Sequence, residues 1–255
     1  MIRSLYTVVS GMITLENKQN TITNNITNSE TTGYKSENLN IKSFDEVMIA
    51  NRDKIVNGKN VKQRLGTISL GSEIDNTSTT YTQGDLSETE KNTDMAIVGR
   101  GFFSVQSGNK IVYTRDGNFR IDNQGYLVTT TGDRVLGMNN GTGNAEPIFV
   151  GDSDFYIDDN NNIYVNGNST QSLMLADFQD YSELKKIGDN YYTGDNPVYN
   201  AVVSVRQGFL ETSNVNVTNE MVNMITTMRN YESDSSILKM IDNTLNIVCN
   251  QVGKL

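Results

Sequence analysis

An α+β fold is predicted for this 255-residue sequence, with a mainly-β central domain flanked by N- and C-terminal helices that pair in a coiled-coil-like manner. Apolar residues at both ends recur with spacings of three and four, which is typical of amphipathic helices. Between the ends, short β-branched and aromatic runs are separated by turn residues, which indicates antiparallel strands. The predicted parts are an N-terminal helix with an extended connecting segment (1–65), an acidic β-rich domain (66–210) and a C-terminal helix (211–255).

The C-terminal helix carries apolar residues on two positions of a heptad repeat, which is the pattern of a coiled-coil seam. Glycine and proline are absent from 209 to 252, so nothing in this stretch forces the helix to break. Cys249 falls on the same seam, where a small buried thiol is expected. The residues predicted to form the seam are Val217, Met221, Met224, Met228, Tyr231, Leu238, Leu245 and Val252.

The N-terminal helix shows the same period in its apolar residues. It is predicted to end between Asn24 and Gly33, because Asn and Thr side chains compete for backbone hydrogen bonds and Gly33 suits a left-handed stop. The seam residues predicted here are Leu5, Val9, Met12 and Ile26.

Both apolar stripes are too long to be buried by one helix alone. Two arrangements are therefore open. The helices pair only with each other as a stalk, or they also pack against other copies of the chain. The pattern favours neither.

The central domain is predicted to be a meander of short antiparallel strands. A first set of runs is Phe102–Gln106, Lys110–Thr114, Asn118–Ile121 and Tyr126–Thr129. A second set is Phe155–Ile157, Ile163–Val165, Ser172–Ala176 and Ala201–Val205. Gln83-Gly84-Asp85-Leu86 is echoed by Gln207-Gly208-Phe209-Leu210, which predicts two similar edge strands where the chain enters and leaves the domain on the same side.

Composition excludes most catalytic and metal chemistry. The chain has no His, no Trp and one Cys, so it has no Ser-His-Asp triad, no Cys-His dyad and no usual set of zinc ligands. No catalytic residue, cofactor-binding residue or metal ligand is predicted, and the chain is not expected to be an enzyme.

Charge is distributed unevenly along the chain. Lys and Arg total 21 against 30 Asp and Glu, a net charge of −9, and residues 66–210 alone carry −10. Residues 1–65 carry +3 and residues 211–255 carry −2. This balance gives no support for nucleic-acid binding. It predicts a solvated middle domain between nearly neutral ends.

Three local motifs resemble chemical sites only weakly. Gly99-Arg100-Gly101 lacks the third glycine and the following helix of a dinucleotide fingerprint, so a tight strand turn is expected. The Asp158–Asn162 segment lacks the glycine of a calcium loop and its terminal glutamate, so a polar hairpin turn is expected. Asp152 and Asp154 are expected to be solvated loop acids rather than a hydrolytic pair.

The start of the chain indicates neither a membrane span nor a secretory signal. No apolar run approaches the ~20 residues of a transmembrane helix. Met1–Leu5 has one positive charge but no unbroken apolar stretch after it, unlike a Sec-type signal peptide. A cytoplasmic protein is expected unless a signal-independent export route carries it outward.

Several motifs resemble those of one known family, the flagellar rod and hook proteins. They occur in order at both ends of the chain and in the first half of its middle, and such an arrangement is highly specific. The N-terminal motifs are Asn24–Asn28 and Thr32–Lys35. The central motifs are Asp94–Phe103, Tyr113–Phe119 and Gly125–Thr129. The C-terminal motifs are Gln207–Val217, Glu220–Ile225 and Arg229–Glu232.

The resemblance implies a structural subunit. Both terminal helices would form an inner tube domain and the β domain an outer layer, with many copies stacking helically into the basal-body rod that transmits torque to the hook. It also implies that the partners are further copies, adjacent rod and hook proteins and the type III export apparatus. No small-molecule substrate is implied, and no signal peptide would be cleaved.

Within the family, the sequence is most similar to the distal rod members, because the interval from Lys35 to Gln83 is long enough for the extra segment they carry. A proximal rod or hook-type protein is the alternative inside the family. From another class, a secreted β-sheet binding module trimerised by its helices remains an alternative.

Overall fold

A computed structural model describes residues 2–56, 59–151, 154–199 and 203–252. The chain divides into two compact units. We call the first the helical unit, which comprises Met1–Ile26, Glu37–Ser78 and Val217–Leu255, and the second the β unit, which comprises Thr27–Ser36 and Thr79–Asn216. The α+β class is confirmed, since strands predominate and one long helix lies near each end of the chain.

Helix α1 (Ile2–Thr27) opens the helical unit and ends inside the predicted Asn24–Gly33 segment. Gly33 has the expected left-handed backbone, with φ of +66°. Asn25, near the end of the helix, is buried and pairs with the backbone of Glu37 in both directions. Its Nδ2 donates to the Glu37 carbonyl (2.8 Å) and its Oδ1 accepts from the Glu37 N–H (3.0 Å). This amide bridge turns the chain back after the helix.

Four strands follow α1 within the helical unit: β1 (Glu37–Ser43), β2 (Val47–Val56), β3 (Lys59–Ile68) and β4 (Ser72–Thr79). β1 pairs with β4, while β2 and β3 form a long antiparallel hairpin whose register runs from Val47 opposite Ile68. Thr7 Oγ1 on α1 donates to the Leu70 carbonyl at 2.9 Å, which attaches the strands to the helix. The predicted extended connecting segment is thus two small sheets.

Helix α2 (Val217–Ile247) continues as a π-helical turn (Val248–Val252). A methyl group built on Gly11 of α1 would lie 3.3 Å from Asp234 Oδ2 of α2, so the two helices approach closely at this point. Cys249 is exposed, and the prediction of a buried thiol was wrong. The π-helical turn interrupts the 3.6-residue period at this residue, so the heptad register no longer sets which way Cys249 points.

In its described residues, the β unit contains seventeen short strands and one 3₁₀ turn (Tyr181–Glu183). The strands from its first half are β5 (Leu86–Glu88), β6 (Met95–Val98), β7 (Phe102–Ser107), β8 (Lys110–Thr114), β9 (Phe119–Ile121), β10 (Leu127–Thr129), β11 (Arg134–Asn139) and β12 (Ala145–Pro147). Those from its second half are β13 (Phe155–Ile157), β14 (Asn162–Val165), β15 (Asn168–Leu173), β16 (Leu175–Asp177), β17 (Lys185–Gly188), β18 (Tyr191–Thr193), β19 (Val198–Tyr199), β20 (Ser204–Gln207) and β21 (Phe209–Glu211).

Thirteen of these strands form one sheet, whose main path is β13-β14-β15-β11-β7-β8-β18-β17. The predicted hairpins β7–β8 and β9–β10 are confirmed. A simple meander is not, because β8 pairs with β18 instead of β9 and β11 pairs with β7. The loop between β8 and β9 carries Arg115, whose buried side chain anchors this break in the meander. In the second set, residues 201 and 202 lie outside the described residues.

The core has two main faces because successive residues of a strand point to opposite sides of a sheet. Phe103 of β7 packs with Met95, Phe119 and Leu127 in an aliphatic cluster. Its neighbour Phe102 packs in an aromatic cluster, whose other members are Tyr113, Ala176, Phe178, Leu184 and Tyr192.

The internal echo marks two strands that pair with each other. β5 and β21 are antiparallel, with Leu210 opposite Ser87 and Glu211 opposite Leu86. The two glutamines that precede them act alike: Gln83 bonds the backbone of Ile97 and Gly99, and Gln207 bonds the backbone of Asn92, Phe155 and Ile157. The side-chain amide of Asn214 also donates to the carbonyls of Thr80 and Thr82. The entering and leaving segments are therefore neighbours, as predicted.

Gly84 allows this close approach of the two segments. A β-carbon at Gly84 would overlap the Thr212 carbonyl oxygen, so we expect Gly84→Ala to lower the free energy of unfolding of the β unit by about 1–3 kcal/mol through overpacking. Gly141→Ala is the matched control, since its added methyl would meet Asn139 Oδ1 at an ordinary 3.5 Å. Near-UV circular dichroism during urea unfolding measures both. Equal free energies of unfolding of the two variants would contradict the role of Gly84 in this close approach.

Candidate functional site

The predicted assembly residues lie in the helical unit and fall into two groups. Those on α1 are all half-buried: Leu5, Val9, Met12 and Ile26. On α2, the half-buried members are Val217, Met224, Leu238 and Leu245, and the exposed members are Met221, Met228 and Tyr231. The side chain of Val252 lies outside the described part of the chain.

The inner face of α2 follows the three- and four-residue spacing of one helix stripe. Besides the four apolar seam residues it includes Glu220, Thr227, Asp234 and Ile241, which are half-buried or buried. This is the face on which Asp234 approaches Gly11.

A second apolar stripe runs along the solvent-exposed side of α2, next to the inner face, and we call it the outer stripe. Its members are 40–59% exposed, which is unusual for large apolar side chains grouped on one face. They are Met221, Val222, Ile225, Met228, Met240 and Ile247.

A groove of about 570 Å³ opens between α1 and the strands that follow it. We call it the α1–hairpin groove. No described side chain fills it, although Tyr6, Ile13 and Val47 are more than half exposed along it. Its full lining is Tyr6, Val9, Ser10, Ile13, Phe44, Asp45, Val47, Leu70 and Glu73.

The β unit holds a buried charge cluster of Lys35, Arg115 and Glu211. Lys35 Nζ lies 2.5 Å from Glu211 Oε1, and Arg115 Nη1 lies 3.2 Å from Glu211 Oε2. The side chains of Lys35 and Glu211 are fully buried, and Arg115 is 3% exposed. One carboxylate thus serves two cations away from water.

Backbone groups complete the hydrogen bonding of the charge cluster. Lys35 Nζ donates to the Thr82 carbonyl (2.8 Å), and Arg115 Nη2 donates to the Gly99 carbonyl (2.6 Å). The Gly84 N–H donates to Glu211 Oε1 at 3.0 Å. Arg115 also packs over the Phe102 ring, while its Nε has no partner among the described residues.

Burial within the charge cluster perturbs the ionisation of Lys35. Burial lowers the pKa of the Lys35 ammonium below its ordinary value of 10.5. The Glu211 carboxylate opposes the shift, and the Arg115 guanidinium adds to it. The nearby Asp116 carboxyl is also perturbed, because burial raises its pKa although the Thr32 hydroxyl donates to it.

Sequence reasoning placed these three charged residues inside family-like motifs without assigning them a site. The sequence feature that could have pointed to this site is a charged residue within a segment of otherwise apolar or small residues, as in Gly33-Tyr34-Lys35 and Gly208-Phe209-Leu210-Glu211. Pairing of residues 176 positions apart could not be deduced from that signal.

The weakly matching motifs have structural roles. Gly99 and Gly101 have φ of +98° and +130° in the turn between β6 and β7, as predicted. Asp158 Oδ1 accepts the N–H groups of Asn160 and Asn162 in the β13–β14 turn, which confirms a polar hairpin turn. Asp152 lies outside the described residues, and Asp154 is exposed.

Across residues 2–56, 59–151, 154–199 and 203–252, no three His, Cys, Asp or Glu side chains gather closely enough to hold a metal ion. None of the helices in these ranges combines the length and the apolar character needed to cross a bilayer.

Removal of the shared carboxylate should be the most damaging change in the charge cluster. Glu211→Gln leaves two buried cations without their anion, and we expect it to lower the free energy of unfolding of the β unit by about 3–5 kcal/mol. Lys35→Met should lower it less, because Arg115 and Glu211 remain as a neutral pair. Lys42→Met, which removes an exposed ammonium 3.3 Å from Asp75, should leave the unfolding midpoint unchanged. A larger loss in Lys35→Met than in Glu211→Gln would contradict this order.

The lowered pKa of Lys35 gives a pH dependence of known sign. Between the folded pKa and 10.5, the unfolded chain holds a proton that the folded chain has released, so the contribution of Lys35 to stability rises with pH. We expect the free energy of unfolding of the parent chain, relative to that of Lys35→Met, to increase from neutral pH to about 10.5. Both chains contain the same tyrosines, so the effect of tyrosine ionisation on stability cancels in this difference. A constant or falling difference would contradict the pKa shift.

Comparison with known proteins covers the chain almost from end to end. Three family models match in order: flagella basal body rod protein at residues 5–35, the flagellar hook protein FlgE/F/G D1 domain at 96–171, and flagellar basal body rod FlgEFG protein C-terminal at 206–250. The matched ranges contain all three residues of the charge cluster.

Whole-length relatives carry rod names. The chain is 33% identical to the flagellar basal-body rod protein FlgG of Bacillus subtilis, over 98% of this chain and 99% of the relative. It is 34% identical to FlgG of Buchnera aphidicola subsp. Schizaphis graminum, over 96% and 98%. It is also 31% identical to the rod protein FlgF of Caulobacter vibrioides, over 100% and 98%. The chain therefore belongs to the flagellar basal-body rod protein family, as a FlgG-type distal rod protein.

Proposed function

We propose that this structural rod subunit works through a division of labour between its two units. Many copies polymerise helically into the distal rod, the drive shaft that carries torque to the hook. The helical units form the inner tube, and the acidic β units form a solvated outer layer. The observation that carries the proposal is the full-length relationship to FlgG-type rod proteins, and the exposed apolar surfaces of the helical unit support it.

In this proposal the two terminal helices pair as a coiled-coil-like element of the tube. The approach of Gly11 to Asp234 supports the pairing, as does the half-buried inner face of α2. The seam residues of both helices would then be shared between intrachain packing and contacts with neighbouring copies. Residues 1–65 and 211–255 would belong to the tube domain and residues 66–210 to the outer domain.

Hydrogen bonds within the β unit would suit it to carry load. The chain passes between the two units at 26/27, 36/37, 78/79 and 216/217. Close to these crossings, the Thr27–Ser36 segment and the two ends of the Thr79–Asn216 segment are bonded to one another. The Thr80 N–H donates to the Ser36 carbonyl, the Ser36 N–H donates to Asn214 Oδ1, and the Gly33 N–H donates to the Glu211 carbonyl. With the charge cluster, these bonds would make the segments move as one body under load.

The remaining parts of the proposal concern export and partners. The subunit would leave the cell through the flagellar type III apparatus without a cleaved signal, and would contact adjacent rod and hook proteins in the cell envelope. It would catalyse no reaction and bind no small-molecule substrate. A structural function that depends on packing agrees with a sequence that lacks His and Trp and has one Cys.

The proposal is tested by Leu238→Asp and Met224→Asp, which place a carboxylate on the inner face of α2. We expect each variant to be absent from isolated hook–basal bodies and to be non-motile, because these half-buried positions would become fully buried in the rod, where an unpaired charge costs several kcal/mol. The β unit should unfold at its normal midpoint. Immunogold labelling of basal bodies measures incorporation, and the parent chain should label the distal rod.

Asn230→Asp is the matched control, because it adds the same charge at an exposed position of α2. It should assemble and swim normally. Normal rods in the Leu238→Asp strain would overturn the role of the inner face. Absence of the parent chain from basal bodies would overturn the proposed function itself.

A further inference from the structure

Two apolar surfaces of the helical unit have no partner within the described chain. One is the outer stripe of α2, and the other is the α1–hairpin groove. The groove is lined by α1, β2, β4 and the segments beside them, and by no residue of α2. The stripe lies on the solvent-exposed side of α2. The outer stripe is convex and the α1–hairpin groove is concave, so their shapes are complementary. They share no residue.

Their charges are also complementary. Among the described residues, the charged ones that line the groove are the carboxylates Asp45 and Glu73. The exposed Lys42 ammonium lies 3.4 Å from Glu73. On α2, both basic residues, Arg229 and Lys239, fall on the side of the outer stripe.

Most of the acidic residues of α2 point elsewhere. By helical spacing, Glu220 and Asp234 lie on the inner face, and the exposed Asp242 lies at the border between that face and the stripe. Glu232 is the one carboxylate among the outer-stripe positions. The stripe is therefore apolar with a net positive charge, while the groove is apolar with a negative lining. Such pairs of surfaces steer association and fix register.

We propose that the outer stripe of one copy, centred on Ile225 and Met228, seats in the α1–hairpin groove of a second copy, with Arg229 facing Asp45. This inference rests on the proposed function and names the contact between neighbouring rod subunits. The two surfaces differ, so the contact is heterologous, and a heterologous contact that does not close on itself generates an open helical filament. The second copy thus removes from water the apolar side chains that a single copy leaves exposed.

Disulfide trapping tests this contact in assembled rods. In a Cys249→Ser background, one strain expresses two versions of the chain, one with Ile225→Cys and one with Val47→Cys. Both positions are exposed and lie on the two proposed surfaces. Mild oxidation of isolated basal bodies should give a mixed disulfide at twice the 28.3 kDa chain mass. Asn230→Cys, on another side of the same helix, is the matched control and should give none with Val47→Cys.

Charge reversal tests the same contact without cysteines. Arg229→Glu should reduce the recovery of rod-incorporated chain by about tenfold or more, because like charges would meet at Asp45. Asp45→Arg in the same chain should restore it, since every copy then presents the swapped pair. Failure of this rescue would overturn the assigned facing of Arg229 and Asp45.

The outcomes separate the inference from the proposed function. If the chain is present in basal bodies and only Ile225–Ile225 dimers or no mixed disulfides form, the groove assignment is overturned and the rod function stands. If the parent chain is absent from basal bodies, the rod function fails and the inference fails with it. A mixed disulfide together with charge-swap rescue supports both.

Discussion

Glu211 is a single buried carboxylate on which three distant parts of the chain converge. Its side chain binds Lys35 and Arg115, its carbonyl accepts the Gly33 N–H, and its strand pairs with β5. Placing charges in a low-dielectric interior is unfavourable unless each is paired and hydrogen-bonded. The charge cluster meets that condition only when the segment after α1, the loop after β8 and the strand before α2 are all in place. It therefore specifies how the two ends of the β unit are joined.

This constraint bears directly on a subunit that carries load. A hydrophobic contact is non-directional and allows sliding, whereas a shared carboxylate with several defined donors has one geometry. Around Glu211 the load would be divided between Lys35 and Arg115, which are buried, and the Asn214 amide, which is half-buried. A mechanical element needs this kind of fixed junction more than it needs net stability, and buried ion pairs are better attested as devices for specificity than as sources of stability.

Sequence periodicity predicted the secondary-structure elements that depend on local interactions. The two helices and most short strands follow from apolar spacing, and the polar turn at Asp158 follows from its Asn-rich composition. The pairing of β8 with β18, more than seventy residues apart, does not follow from local pattern, and neither does the Lys35–Glu211 ion pair. The repeated Gln-Gly-x-Leu motif is the exception. Gln83 and Gln207 both bond neighbouring backbone groups, and this shared structural role appears in the sequence as a repeated motif. Cys249 was misplaced because a heptad register extrapolated past Ile247 does not anticipate a π-helical turn.

The terminal helices are poorly suited to stand alone, and this property is consistent with assembly. Neither contains alanine, the best helix former, while both are rich in Thr, Asn and Ser. Several of these side chains bond back to a carbonyl four residues earlier, as Thr21 does to Asn17 and Thr244 does to Met240, a contact that slightly weakens helices. Helical stability must then come from packing of the apolar stripes. A lone subunit half-buries one stripe of α2 and exposes the other. In the proposed rod, a neighbouring copy would supply the missing packing, and the same residues would couple the order of the helical unit to the growth of the rod.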